Sequence, residues 1–245
     1  MTGKTVLILG GRSDIGLATA HRFASSDFAI QLAARNADSL SDDKSDIELR
    51  YAVPVTLHDF DALDTATHGA FVDALPALPD VAVCAVGLLG NQADDERDPT
   101  AALTVLRTNF EGCASILEAL AARFERRGSG TLVGISSVAG DRGRASNYIY
   151  GSAKAGFTAY LSGLRNRLHP AGVHVVTVLP GFVRTRMTEG LDLPSALTAA
   201  PEEVARAIIA AVNRRRDTVY VRRVWRPVML IIRSMPEFIF KRLKI

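Results

Sequence analysis

The sequence predicts an α/β fold, a doubly wound parallel sheet in a single domain, on three observations. Short apolar runs alternate with stretches of helical period along the chain. A glycine turn joins the first apolar run to the first helical pattern. A length of 245 residues with 48% hydrophobic content suits one sizeable core and leaves no room for a second domain of ordinary size.

The elements follow in order. Val6 to Leu9 are continuously apolar, as a parallel strand covered on both faces requires, which places the first strand over 4–9. Gly10, Gly11 and Gly16 mark the turn, with Arg12, Ser13 and Asp14 among them, and Ile15, Leu17, Ala18 and Ala20 open a helix over 14–25 with Asp14 as its N-cap. Such a helix start offers free N–H groups to a pyrophosphate, and glycine lets the backbone approach it. Further strands are expected over 28–34, 50–57, 81–86, 131–136, 173–179 and 218–221. Helices are expected over 61–74, 99–126, 148–168 and 201–212, the last with Pro201 at its first position. The polar stretch 36–48 reads as a loop. Asn109 is a poor helix former in mid-helix and points to a water or backbone contact there. Ligands of such folds bind beyond the carboxyl ends of the strands.

The chemistry centres on Tyr150 and Lys154, four residues apart in Y-G-S-A-K, with Ser137 thirteen positions upstream in I-S-S-V-A-G. Residues at i and i+4 share a helix face, so the Lys154 ammonium favours the ionised form of the Tyr150 phenol by charge proximity. Ser137 then holds a carbonyl oxygen while Tyr150 protonates it. Taken alone, Tyr-x-x-x-Lys is also an ordinary amphipathic pair. Cys84 and Cys113 have neither metal-ligand spacing nor a disulfide framework and read as small buried hydrophobes, and no metal is expected.

Read together, these motifs resemble the short-chain dehydrogenase/reductase family over nearly the whole chain. The family's T-G-x-x-x-G-x-G falls on Leu9 to Gly16, its helix asparagine on Asn109 in R-T-N-F-E-G, its serine on Ser137, its tyrosine and lysine on Tyr150 and Lys154, and its P-G step on Pro180-Gly181 with Thr185 beyond. Two departures stand out: Asp14 replaces the middle glycine of the first motif, and N-N-A-G reads Cys84-Ala85-Val86-Gly87. The resemblance implies a Rossmann fold and an NAD(P)H-dependent oxidoreductase acting on CH-OH/C=O groups. Gly10, Arg12, Ser13, Asp14, Ile15, Gly16, Gly87, Pro180, Gly181, Val183 and Thr185 would hold the dinucleotide, together with Tyr150 and Lys154. It also implies that Asn109 orders a proton-relay water and that Asp59 contacts the adenine amine. Arg35, with no acid before Asp38, favours NADPH over NADH, because a basic group suits a 2′-phosphate; stacking on adenine and plain surface exposure are its other readings.

A narrower likeness rests on H-D-F-D-A-L-D-T-A-T-H, V-G-L-L-G, Y-I-Y-G-S-A-K-A-G, P-G-F-V-R-T-R-M and the tail V-M-L-I-I-R-S-M-P-E-F-I-F-K-R-L. These are similar to the decaprenylphosphoryl-2-keto-ribose reductases, which implies a lipid-linked keto-pentose phosphate as substrate, arabinose formation for cell-wall arabinan, and a flavin-dependent oxidase as partner. Region 181–200 reads as a substrate loop, with Phe182, Met187, Leu191 and Leu193 to cover a greasy ligand and Arg184 and Arg186 to meet its phosphate.

Residues 1–221 form the reductase domain in this reading, and 222–245 a basic, apolar extension. From Arg214 onward ten Lys/Arg face only Asp217 and Glu237, so the tail is basic and the rest of the chain acidic. With no recognition motif, nucleic-acid binding is not expected. Trp225, Met229, Ile232, Phe238, Ile239 and Phe240 stand among Arg222, Arg223, Arg226, Arg233, Lys241, Arg242 and Lys244, with Pro227 and Pro236 interrupting. That mixture suits peripheral membrane contact, or packing on a second subunit of a homo-oligomer. No signal peptide is read before the first strand, which points to the cytoplasm, with the cell envelope as the other location. A soluble reductase of acyl or small carbonyl substrates, and a non-catalytic dinucleotide sensor or scaffold, stay open.

Overall fold

A computed structural model describes residues 3–243. The first half alternates β1 (Thr5–Leu9), α1 (Asp14–Ala24), β2 (Ala29–Ala34), α2 (Ser41–Tyr51), β3 (Val55–Asp59), α3 (His68–Asp73) and β4 (Val81–Cys84). Next come α4 (Gln92–Asp95), α5 (Pro99–Leu106), α6 (Gly112–Arg127), β5 (Thr131–Ile135), α7 (Tyr148–Leu168) and β6 (His174–Pro180). The chain continues through a short ladder of β7 (Phe182–Val183) and β8 (Thr198–Ala199), then α8 (Pro201–Asn213), β9 (Thr218–Val221), α9 (Trp225–Ser234) and α10 (Glu237–Phe240).

Seven strands pair in parallel in the order β3-β2-β1-β4-β5-β6-β9, so the winding reverses between β1 and β4 and opens a cleft at their carboxyl ends. The sheet is apolar on both faces because both are covered. Val6, Ile8, Val83, Val133 and Val176 pack beneath α1 and α8 through Phe23, Ala24, Val204 and Ile208. Leu7, Leu9, Ala82, Leu132 and Val175 meet Ile116, Leu117, Leu120 and Phe124 of α6 and Phe157, Leu161 and Leu164 of α7 on the other side.

Several sequence expectations need correction. The stretch 36–48 is not a loop: Ala37–Leu40 forms a 3-10 turn and α2 follows. Its polarity hides a helix stapled by Lys44–Glu48 (3.9 Å) and Arg50–Asp46 (2.7 Å) at i,i+4, with Ile47 alone anchoring it in the core. The expected strand 50–57 lies at Val55–Asp59, because α2 runs to Tyr51. The expected helix 61–74 starts only at His68, and 99–126 is split by a π-turn over Arg107–Glu111. Pro227 does not interrupt the tail; it sits in the first turn of α9, where a missing N–H costs no bond. Lys244 lies outside the described residues. Among the described residues no helix is long and apolar enough to cross a membrane, and no cluster of His, Cys, Asp and Glu could hold a metal.

Candidate active site

The glycine turn after β1 is built by backbone demand. Gly10 has φ +84°, and a Cβ there would lie 2.9 Å from the Ala85 carbonyl, so only glycine fits between β1 and β4. Ser13, not Asp14, caps α1: its Oγ accepts the Gly16 N–H at 3.0 Å and donates to the Gly10 carbonyl at 2.7 Å. The N–H groups of Asp14 and Ile15 therefore keep no acceptor among the described residues. Freed from capping, the Asp14 carboxylate reaches 172 residues along the chain to Arg186, accepting its backbone N–H (2.8 Å) and its Nε (3.0 Å). Nη2 of Arg186 also donates to the Arg12 carbonyl. The loop after β6 is thereby strapped to the glycine turn.

The catalytic candidates converge on the same cleft from β5 and α7. Lys154 is 2% exposed. Its Nζ donates to the Ile135 carbonyl at 3.0 Å and lies 5.7 Å from the centroid of the Tyr150 ring. An ammonium has three donors, so two N–H groups of this buried cation have no acceptor among the described residues. A Cβ at Gly87 would lie 3.9 Å from that Nζ, which makes the glycine the open side of the cradle. Ser137 accepts the Ala139 N–H at 3.1 Å and keeps its own hydroxyl proton to donate. Its neighbour Ser136, which the sequence reading passed over, ties α7 to β5 through the Lys154 carbonyl (2.9 Å) and Thr158 (2.7 Å).

Asn109 is fully buried within the π-turn. Its Nδ2 donates to the carbonyls of Val105 (2.8 Å) and Leu88 (2.6 Å), and its Oδ1 accepts the Leu88 N–H (3.2 Å). The side-chain amide thus replaces a helix bond to Val105 and clamps the segment after β4 over the helix, the backbone contact its poor helix propensity pointed to.

A cleft of about 1340 Å³ takes in most of the sequence-derived site residues. Gly16, Asp59 and Asn109 stand outside its lining. Asp59 spends its Oδ1 on the Ala37 N–H at 2.9 Å, capping the turn before α2, and Phe60 to Leu63 line the cleft in its place. Arg12 and Arg35 both border the cleft and are exposed. Arg186 is committed to Asp14, and Arg184, with Leu193, lines a second cavity of about 850 Å³ rather than the cleft. Neither arginine stands free in the cleft as expected for a phosphate contact. Four lining residues that motif reading missed are Gln92, Arg144, Asn147 and Trp225. Cys84 and Cys113 are free and buried.

Trp225 overturns the expectation that the tail's aromatic start lies at an interface. It is 4% exposed, meets Phe182 edge-on at 5.4 Å, and donates Nε1 to the Leu197 carbonyl at 3.2 Å. A Cβ at Gly181 would overlap its indole. Met229, one turn on, is fully buried beside Val138 and Leu179. Arg142, from the turn before α7, clasps the tail. Its guanidinium donates to the Ile232 carbonyl (2.7 Å) and Glu237 Oε2 (2.8 Å) and lies 3.7 Å from the Phe240 ring centroid. Leu230, Ile231, Phe238 and Ile239 remain exposed.

Comparison with known proteins agrees with this geometry. The profile of the family described as short chain dehydrogenase matches residues 4–194. An uncharacterized oxidoreductase of Mycobacterium tuberculosis is 42% identical over 241 residues, covering 97% of this chain and 96% of the relative. One of Streptomyces coelicolor is 38% identical, covering 98% and 96%. Among solved structures, a short-chain dehydrogenase from Sphingobium yanoikuyae in complex with NADPH superposes with a TM-score of 0.81 at 23% identity, covering 96% of this chain and 97% of that one.

Proposed function

Since the chain belongs to the short-chain dehydrogenase/reductase family and is an oxidoreductase, we propose that it reduces a ketone with a nicotinamide dinucleotide, NADPH ahead of NADH. The carrying observation is Lys154: a buried ammonium with two N–H groups in want of acceptors, beside Tyr150 and open towards Gly87. Hydroxyls of a cofactor ribose would satisfy it. The free N–H groups of Asp14 and Ile15 suit a pyrophosphate, and Arg12 and Arg35 at the cleft border suit a 2′-phosphate. When bound, the nicotinamide supplies the hydride.

This chain's own residues do the rest. Ser137 donates its hydroxyl proton in a hydrogen bond to the substrate carbonyl, polarising it. Tyr150 gives its phenolic proton to the oxygen as negative charge develops there. The Lys154 ammonium stabilises the phenolate left behind. Asn109 keeps the segment at Leu88 in place on the cleft wall, and the Phe182–Trp225 pair and Met187 shield the reacting carbon from water.

The substrate in this proposal is the lipid-linked 2-keto-pentofuranosyl phosphate, reduced to the arabinose form, with an alcohol-oxidising flavoenzyme upstream to make the ketone. The roomy cleft and the apolar, basic tail next to it favour that reading. Tyr150→Phe is expected to lower turnover of a ketone at least about a hundredfold, since general acid catalysis contributes roughly 10²–10⁴. NADPH affinity, measured by fluorescence titration, should stay within about twofold. Undiminished turnover would remove Tyr150 from the mechanism.

A further inference from the structure

Arg144 lies in the turn between β5 and α7, six residues before Tyr150, and lines the same cleft. Its situation differs from that of Arg142 two residues earlier, which is fully engaged with the tail. Among the described residues the Arg144 guanidinium makes no ion pair and no hydrogen bond, and its Nε is shut off from water. Burial alone pulls the group below the ordinary arginine range; no carboxylate offsets it. Asp95 and Glu96 line the cleft too, yet neither comes within 4 Å of it. A half-buried guanidinium without an anion is costly, and buried charges are ordinarily paired.

Two neighbours share this want of partners. Gln92 lends its Oε1 to the Ile149 N–H at 3.1 Å, which leaves Nε2 buried without an acceptor. Asn147 stands at the cap position of α7 without capping it, and its Oδ1 is buried and unbonded. Half a turn of that amide exchanges acceptor for donor. The three side chains flank the start of a 21-residue helix, whose positive end adds to the field of the guanidinium. Donors and positive charge are concentrated ahead of Tyr150 with no acceptor for them among the described residues.

The geometry points to an oxyanion-binding subsite formed by Arg144, Gln92 and Asn147, which selects ketones carrying a phosphate or carboxylate group. Arg144 is the specificity-determining residue, and it takes the place the sequence had offered to Arg184 and Arg186. The inference rests on the reductase reading for its account of Tyr150, but the subsite itself is a binding property and is tested as one.

The probes are hexyl phosphate, hexanoate and hexanol, titrated by calorimetry into the protein saturated with NADP⁺. Hexyl phosphate or hexanoate is expected to bind about ten- to a hundredfold more tightly than hexanol, and comparison of the two anions tells which oxyanion the subsite takes. Arg144→Met should erase that advantage while hexanol binding and NADP⁺ affinity hold; Arg144→Lys should restore part of it, which separates lost charge from a lost fold. Equal binding of all three probes to the wild type would overturn the subsite. So would a parallel loss of NADP⁺ affinity in Arg144→Met, which would assign the guanidinium to the cofactor. The reductase reading stands or falls separately, on whether the wild type consumes NADPH with any ketone.

Discussion

Burying an imidazole has a predictable cost in acid. His174 in β6 is nearly inaccessible, and burial, with the charge of Arg215, holds its ring below the ordinary histidine value; Asp217, whose Oδ1 lies 3.4 Å from Nε2, pulls the other way and does not win. Burial lowers His58 as well. The unfolded chain therefore takes up these protons first as pH falls below about 6.5, so their contribution to stability is complete above that pH and declines beneath it. The urea midpoint should drop between pH ~7.5 and ~5.5, and His174→Gln should flatten the slope; a midpoint indifferent to both pH and substitution would refute the assignment. Tyr160 is likewise no acid of the cleft: burial and its bond to Glu118 (2.9 Å) push its phenol up.

At the scale of elements, the strap between the loop after β6 and the glycine turn is an exposed ion pair reinforced by a backbone N–H, worth little to global stability. Its effect is local. Asp14→Asn should raise thermolysin cleavage around Leu191 several-fold while changing the unfolding free energy by less than about 1 kcal/mol; cleavage at the wild-type rate would mean the loop is held by something else. This contact also marks where sequence reading ends. Strands were legible because runs such as Val6–Leu9 are apolar whatever surrounds them, and the shared placement of Tyr150 and Lys154 on α7 because i,i+4 spacing fixes a helix face. Asp14 was assigned a cap it does not provide, since its partner is 172 residues away. Helix α2 was hidden because ion pairs, not an apolar stripe, hold it, with Ile47 as its one buried residue. The π-turn was legible only as an oddly placed asparagine. Arg144 carries no motif, and its meaning lies in the lack of a partner, which only coordinates reveal.

For the whole molecule, the tail has two faces of opposite character. One packs inward, with Met229 in the core beside Val138 and Leu179 and Trp225 on the cleft wall; the other presents Leu230, Ile231, Phe238 and Ile239 with Arg226, Arg233 and Lys241 close by in sequence. Such a surface suits an anionic bilayer, with each cation contributing up to about 1 kcal/mol. Flotation with phosphatidylglycerol vesicles should recover the wild type and lose the double variant Leu230→Glu, Phe238→Glu, with pure phosphatidylcholine vesicles recovering neither. Failure to float in every case, with ketone reduction intact, would favour a soluble reductase of smaller carbonyl compounds.

The seating of Trp225 against Gly181 has a practical corollary. Because Trp225 at the start of α9 lines the cleft and Arg142 clasps the end of α9 and α10, a purification handle or fluorescent reporter appended downstream of α10 is expected to disturb the cleft wall through that clasp. One placed ahead of β1 would emerge at the opposite rim of the sheet, where the parallel strands begin, and would leave the chemistry alone.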